Sequence, residues 1–141
     1  MSLLILDSSA TLAWIYGEET TEAIRRVFDA VADSGALVPA HWRLEVANSL
    51  MIAVRKRHID PDFRRAALAD LALLDITTDQ QTDSYAWTET SNLADHFDLT
   101  VYDAAYLELA RRRMLPLATL DQELRTAATA IGVTVLGSEL K

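Results

Sequence analysis

Short apolar runs alternating with helical stretches predict an α/β fold with a short, mostly parallel central sheet. Three observations carry this expectation. Leu3-Leu4-Ile5-Leu6 runs without interruption into Asp7-Ser8-Ser9, as in a strand buried on both faces and closed by turn-formers. Ala36-Leu37-Val38 and Leu115-Pro116-Leu117-Ala118-Thr119 repeat that short apolar character further along. Between these runs, apolar residues recur at intervals of three and four, the spacing of one helix face.

Each element follows from local chemistry. Ser8 or Ser9 suits the start of a short helix through Ala10 to Ile15 that ends near Gly17. Thr20 to Ala32 reads as a second helix with Ala23, Ile24, Val27, Phe28 and Val31 on its buried face, broken by Ser34-Gly35. Strand Ala36–Val38 closes at Pro39. His41 to His58 is the longest helical stretch, with Trp42, Val46, Leu50 and Val54 in step and the cations Arg55-Lys56-Arg57-His58 in its last turn. Asp60-Pro61 restarts the chain as a helix to Leu73. Leu74–Thr77 reads as a brief strand, and a helix opened by Asp79 or Thr82 continues to Phe97. Thr100 opens a helix ending in Arg111-Arg112-Arg113. The strand at 115–119 carries a proline near its start. Asp121 opens a helix to Ala130, and Val133–Leu136 forms a last strand after Gly132.

The totals narrow the function classes. A chain of 141 residues, half of them apolar, is long enough for one folded domain spanning 1–141. With no cysteine, disulfides and thiolate metal sites are excluded, and a reducing cytoplasm fits. No apolar run reaches the roughly 18 residues of a membrane span, and the N-terminus lacks a signal-peptide pattern. Thirteen Lys and Arg against 21 Asp and Glu make a net charge of −8, which argues against nucleic-acid binding by bulk charge.

Four acids stand out by position. Asp7 follows the first apolar strand. Glu45 lies in the apolar first half of the long helix. Asp103 opens a helix rich in Ala104, Ala105, Leu107, Leu109 and Ala110. Asp121 comes two residues after the strand ending at Thr119. In α/β sheets the carboxyl ends of the strands are where ligands bind. Each acid also has a structural reading: Asp7 and Asp121 as helix N-caps, Glu45 as a first-turn acid, Asp103 within a capping box with Thr100. Spacing leaves both readings open.

In sequence order, Leu6-Asp7-Ser8-Ser9-Ala10, Leu44-Glu45-Val46-Ala47-Asn48-Ser49-Leu50, Tyr102-Asp103-Ala104-Ala105-Tyr106-Leu107-Glu108-Leu109-Ala110 and Leu117-Ala118-Thr119-Leu120-Asp121 resemble the four acidic motifs of the PIN-domain ribonucleases, in particular the VapC-type toxins of toxin–antitoxin pairs. The resemblance extends over nearly the whole chain. It implies a three-layer α/β/α domain with helices on both faces of the sheet. It also implies that Asp7, Glu45, Asp103 and Asp121 gather at one sheet edge around Mg²⁺ or Mn²⁺, which prefer carboxylate and water oxygens. Asp7 and Asp103 would be direct ligands, Glu45 a ligand or the group orienting the attacking water, and Asp121 a ligand directly or through water. Thr119, Ser9 and Asn48 would orient those carboxylates, beside ordinary capping and packing roles for the same three. The implied function is a metal-dependent endoribonuclease and toxin that forms a cytoplasmic homodimer and binds a small antitoxin.

Other features carry less. Arg55-Lys56-Arg57-His58, Arg64-Arg65 and Arg111-Arg112-Arg113 suit RNA phosphates, or, for the first and third, helix ends. His41, His58 and His96 lack zinc-ligand spacing. Trp14, Trp42 and Trp87 read as core or interface residues. The alternatives are a PIN-type RNA-processing nuclease without an antitoxin and a non-catalytic interaction module. An aspartyl phosphotransferase fits poorly, because Asp7-Ser8-Ser9 lacks a second acid two residues on.

Overall fold

In the computed structural model, which describes residues 3–17 and 20–138, a five-stranded sheet with every pairing parallel runs in the order β3-β2-β1-β4-β5. The strands are β1 (Leu4–Leu6), β2 (Ala36–Val38), β3 (Ile76–Thr78), β4 (Leu117–Ala118) and β5 (Val135–Leu136). Central β1 is buried throughout, as its unbroken apolar run requires. The helices are α1 (Ser8–Ile15), α2 (Glu22–Ser34), α3 (Trp42–Arg55), α4 (Pro61–Ala72), α5 (Thr82–Tyr85), α6 (Ser91–Phe97), α7 (Val101–Arg113) and α8 (Gln122–Ala130).

Topology follows from handedness. The chain steps from β1 to β2 to β3 towards one edge, then returns across β1 to β4 and β5. Right-handed crossovers in opposite directions put their helices on opposite faces. Accordingly α1 packs with α2 and α3, and α3 with α4, while α7 packs with α6 and α8. The result is the three-layer α/β/α arrangement. The order reverses between β1 and β4, and such a switch point opens a crevice at the carboxyl ends of the strands.

Local rules account for most elements. The five apolar residues expected on the buried face of α2 are all buried. Gly35 ends that helix at φ +85°, and a Cβ there would lie 2.8 Å from the Asp75 carbonyl, so the close approach of β3 to β2 requires glycine. Residues 104–110 of α7 are buried without exception, so this helix is covered on all sides.

Several boundaries differ from the sequence expectation, β4 at 117–118 instead of 115–119 and β5 at 135–136 instead of 133–136 among them. Helix α3 stops at Arg55, and Arg57 turns at φ +61°, so only Arg55 of the basic run lies in its last turn and Lys56–His58 leave the helix. The third strand is 76–78 because its register is set by pairing with β2. The expected helix to Phe97 is interrupted by a π-helical turn, Ala86–Thr90, inside which the Ala86 carbonyl accepts from the Ser91 hydroxyl. The tryptophans divide: Trp42 is buried, Trp14 stacks on Phe28 with ring centroids 4.5 Å apart, and Trp87 is 93 % exposed. Among the described residues no helix is long and apolar enough to cross a membrane.

Candidate active site

Each of the four predicted acids sits where a backbone element ends or begins. Asp7 leaves β1 and caps α1: its Oδ1 accepts from the Ala10 amide at 2.9 Å and from the Ser9 hydroxyl at 2.8 Å. Its own amide donates to the Ala118 carbonyl, which pins it against β4. Asp121 caps α8, with Oδ1 accepting from the amides of Glu123 and Leu124. Glu45 lies in the first turn of α3 and Asp103 in the first turn of α7, where Thr100 caps the Asp103 amide. The capping readings of Asp7 and Asp121 therefore hold alongside any chemical role.

The four are electrostatic neighbours. Burial pushes the Asp7 carboxyl up to about 6; the Ala10 amide and the hydroxyls of Thr119 and Ser9 oppose that rise, and the charge of Asp103 adds to it. The Asp103 carboxyl is also raised, first by burial and then by the charges of Asp121 and Glu45. No Lys or Arg side chain forms an ion pair with any of the four among the described residues; only His41 approaches, with Nε2 3.7 Å from Glu45 Oε1. Asp103 thus feels the charges of Asp121 and Glu45, and Asp7 that of Asp103, with little neutralising charge beside them, an electrostatic setting that favours a bound cation.

Hydroxyls tie the acids together. Ser9 Oγ donates to Asp7, accepts from the Leu120 amide at 2.9 Å and lies 3.4 Å from Thr119 Oγ1. Thr119 Oγ1 accepts from the Asp121 amide at 3.1 Å. The pair therefore couples the Asp7 cap to the loop that carries Asp121. Asn48, the third candidate for such a role, is exposed on α3, and its side chain makes no hydrogen bond among the described residues.

Two residues without a sequence assignment adjoin Glu45. The Tyr106 hydroxyl donates to Glu45 Oε1, and burial followed by that bond pushes the phenol far above its ordinary pKa. His41 Nε2 bonds the Tyr102 carbonyl at 3.0 Å; a carbonyl only accepts, so this nitrogen carries the proton. The imidazole also meets the rings of Tyr102 and Tyr106 edge-on. The signals were helical spacings: Tyr106 lies three residues beyond Asp103, and His41 four before Glu45. A zinc-spacing test passes over both.

The basic runs are only partly free. Arg112 lies inside, bonded to Glu108, Asp79 and Gln81 and over the Tyr85 ring. Arg111 and Arg113 are exposed, and Arg65 pairs with Asp62 on α4.

The donor set is chemically suited to a hard divalent cation: four carboxylates, no thiolate and one imidazole whose near nitrogen is protonated. Among the described residues no three Asp, Glu or His side chains form a ready-made cage.

Comparison with known proteins supplies independent information. The PIN domain family profile matches residues 4–130. No curated protein sequence matches the chain significantly. Among solved structures, the chain is similar to PAE2754 from Pyrobaculum aerophilum, at TM-score 0.65 and 21 % identity over 96 % of this chain and 89 % of that one. It is similar to FitAcB from Neisseria gonorrhoeae at TM-score 0.63 and 15 % identity, over 96 % of each chain. It is also similar to Mycobacterium tuberculosis VapC20, a sarcin–ricin-loop-cleaving toxin, at TM-score 0.62 and 15 % identity over 94 % of this chain and 97 % of that one. At these identities the likeness establishes a shared fold.

Proposed function

The chain belongs to the PIN domain family, and from that premise we propose that it is a divalent-metal-dependent endoribonuclease acting as the toxin of a toxin–antitoxin pair. One observation carries the nuclease reading: at the carboxyl edge of the sheet Asp7 and Asp103 are raised by burial and by neighbouring carboxylates, Asp121 and Glu45 among them, with no Lys or Arg paired to any of the four among the described residues. The shared fold with VapC20 supports the toxin assignment. The large exposed apolar residues Leu44, Leu73, Trp87 and Met114 supply surface for a small antitoxin and a second subunit.

The residues divide the work. Asp7 and Asp103 would hold Mg²⁺ or Mn²⁺, and Asp121 would complete the set through the oxygen its capping bonds leave free. When bound, the cation supplies Lewis-acid stabilisation of phosphate charge and a water of lowered pKa. Ser9 and Thr119 fix the Asp7 carboxylate. Tyr106 holds Glu45 Oε1, so Oε2 is left to accept a proton from the attacking water. That water forms a bond to phosphorus as the bond to O3′ breaks and O3′ takes a proton from solvent, leaving a 5′-phosphate and a 3′-hydroxyl.

Calorimetric titration of Mn²⁺ into metal-free wild type and Asp103→Asn tests the site, followed by cleavage of single-stranded RNA with and without chelator. Saturable binding that the substitution weakens, together with chelator-sensitive cleavage, is the expected result. Equal binding in both proteins, or cleavage indifferent to chelator, overturns the reading.

A further inference from the structure

The ring of Tyr102 has no part in holding the acids, yet it stands beside them and is 63 % exposed. It precedes Asp103 in the first turn of α7. His41 braces it twice: the imidazole meets the ring edge-on at 5.5 Å and 61°, and Nε2 donates to the Tyr102 carbonyl. The same imidazole borders Glu45. An exposed aromatic ring is thus held in place through the residue that lines the acid cluster. Val101 and Leu44 leave further apolar surface on the same two helix starts, at 47 % and 74 % exposure.

An acidic nuclease has a binding problem. At net charge −8 the bulk of the protein repels a polyanion, and its cations are partly committed elsewhere. Arg112 serves Asp79 and Glu108, and Arg43 bonds the Thr78 hydroxyl and the Ile76 carbonyl. Stacking attracts nucleic acid independently of charge, because every base presents a π-face. A braced ring loses little freedom when a base covers it.

We propose that Tyr102 is a stacking platform for an unpaired nucleobase next to the scissile phosphate. The inference rests on the nuclease reading. It assigns Tyr102 a positioning role: holding one unpaired base beside the bond to be cut.

The test is steady-state cleavage, with Mn²⁺, of a labelled single-stranded RNA oligonucleotide of mixed sequence and of a set carrying one abasic position each. Tyr102→Ala is expected to raise KM roughly tenfold, within the range contributed by one base stacked on one ring, with kcat changed far less and Mn²⁺ affinity unaltered. Tyr102→Phe and Tyr102→Trp keep the platform and restore KM. One abasic position penalises wild type and does not penalise Tyr102→Ala, which identifies the stacked base. The proposal is overturned if KM is indifferent to Tyr102→Ala, if Tyr102→Phe loses as much as alanine, or if no abasic position distinguishes wild type from variant. An unchanged KM with altered sedimentation would give the ring to a protein interface and likewise overturn it. If wild type itself cleaves no RNA, the nuclease reading falls first, a result visible before any variant is made.

Discussion

Asp79 and Asp7 each follow a strand directly and are each almost fully buried, at 6 % and 4 % exposure, yet the protein treats them in opposite ways. Burial works to raise both carboxyls. Around Asp79 the Arg112 guanidinium and the Thr82 hydroxyl overcome burial and bring the carboxyl below its ordinary value. Arg112 also bonds both oxygens of buried Glu108 and stacks over Tyr85, so one cation closes an ionic knot between α7 and the chain after β3. Around Asp7 hydrogen bonds soften burial without cancelling it, and the nearest charges are more carboxylates. The same residue type in the same kind of position is neutralised where it has to hold structure. At the candidate site it is left buried and crowded by like charge, which a bound cation would offset.

The largest effect comes from breaking the satisfied knot. Arg112→Ala leaves Asp79 and Glu108 buried without their cation, at a cost of about 3–5 kcal/mol. Chemical denaturation should show that loss. Replacing all three by well-packed apolar residues should recover most of it, which would show that the knot serves specificity more than net stability. A negligible loss in Arg112→Ala would erase the contrast.

Asp7→Asn sharpens the comparison from the other side. Asparagine keeps the helix cap and removes a charge that burial resists. A rise from 3.8 to about 6 corresponds to about 3 kcal/mol set against the folded anion. Metal-free Asp7→Asn should therefore melt above wild type at pH 7 while losing Mn²⁺ binding. The pH dependence has a definite sign. Because the folded pKa lies above the unfolded one, Asp7 favours folding fully below about pH 4 and loses that contribution as pH rises through about 6. Lowering the pH from 7 to 5 should raise the metal-free melting temperature of wild type more than that of Asp7→Asn. Equal slopes would remove Asp7 as the strained group.

Asp103→Asn should act in the same direction and more weakly, because Asp103 is only half-buried: a smaller rise in metal-free melting temperature and weaker Mn²⁺ binding. A fall in melting temperature would show that its role at the start of α7 outweighs the repulsion. Tyr106→Phe is the mildest change. It removes one hydrogen bond, worth about 1 kcal/mol, and frees Glu45. It should lower kcat with little effect on Mn²⁺ affinity, as single-turnover cleavage and calorimetry would show together.

Much of the fold was legible because it rests on local patterns. The unbroken apolar run of β1, the buried face of α2 and the caps at Thr100 and Asp121 depend on residues a few positions apart. So do the placements of Asp7, Glu45, Asp103 and Asp121 at strand ends and helix starts. What locality does not reach is the end of α3 at Arg55, the π turn at Ala86–Thr90 and the exposure of Trp87. Those depend on what packs against the segment, which the segment's own periodicity does not encode.

The sequence by itself determined an α/β chain whose acids follow its strands, and, through the order of four motifs, the family to which it belongs. Only the tertiary structure decided which acids are neutralised. Tyr106 reaches Glu45 across 61 positions and Arg112 reaches Asp79 across 33. Such contacts exist because β1 sits between β2 and β4 and the helices cross the sheet on opposite faces. Charge and hydrogen bonding act through space, so the difference between a neutralised carboxylate and a crowded one appears only after the strands have found their order.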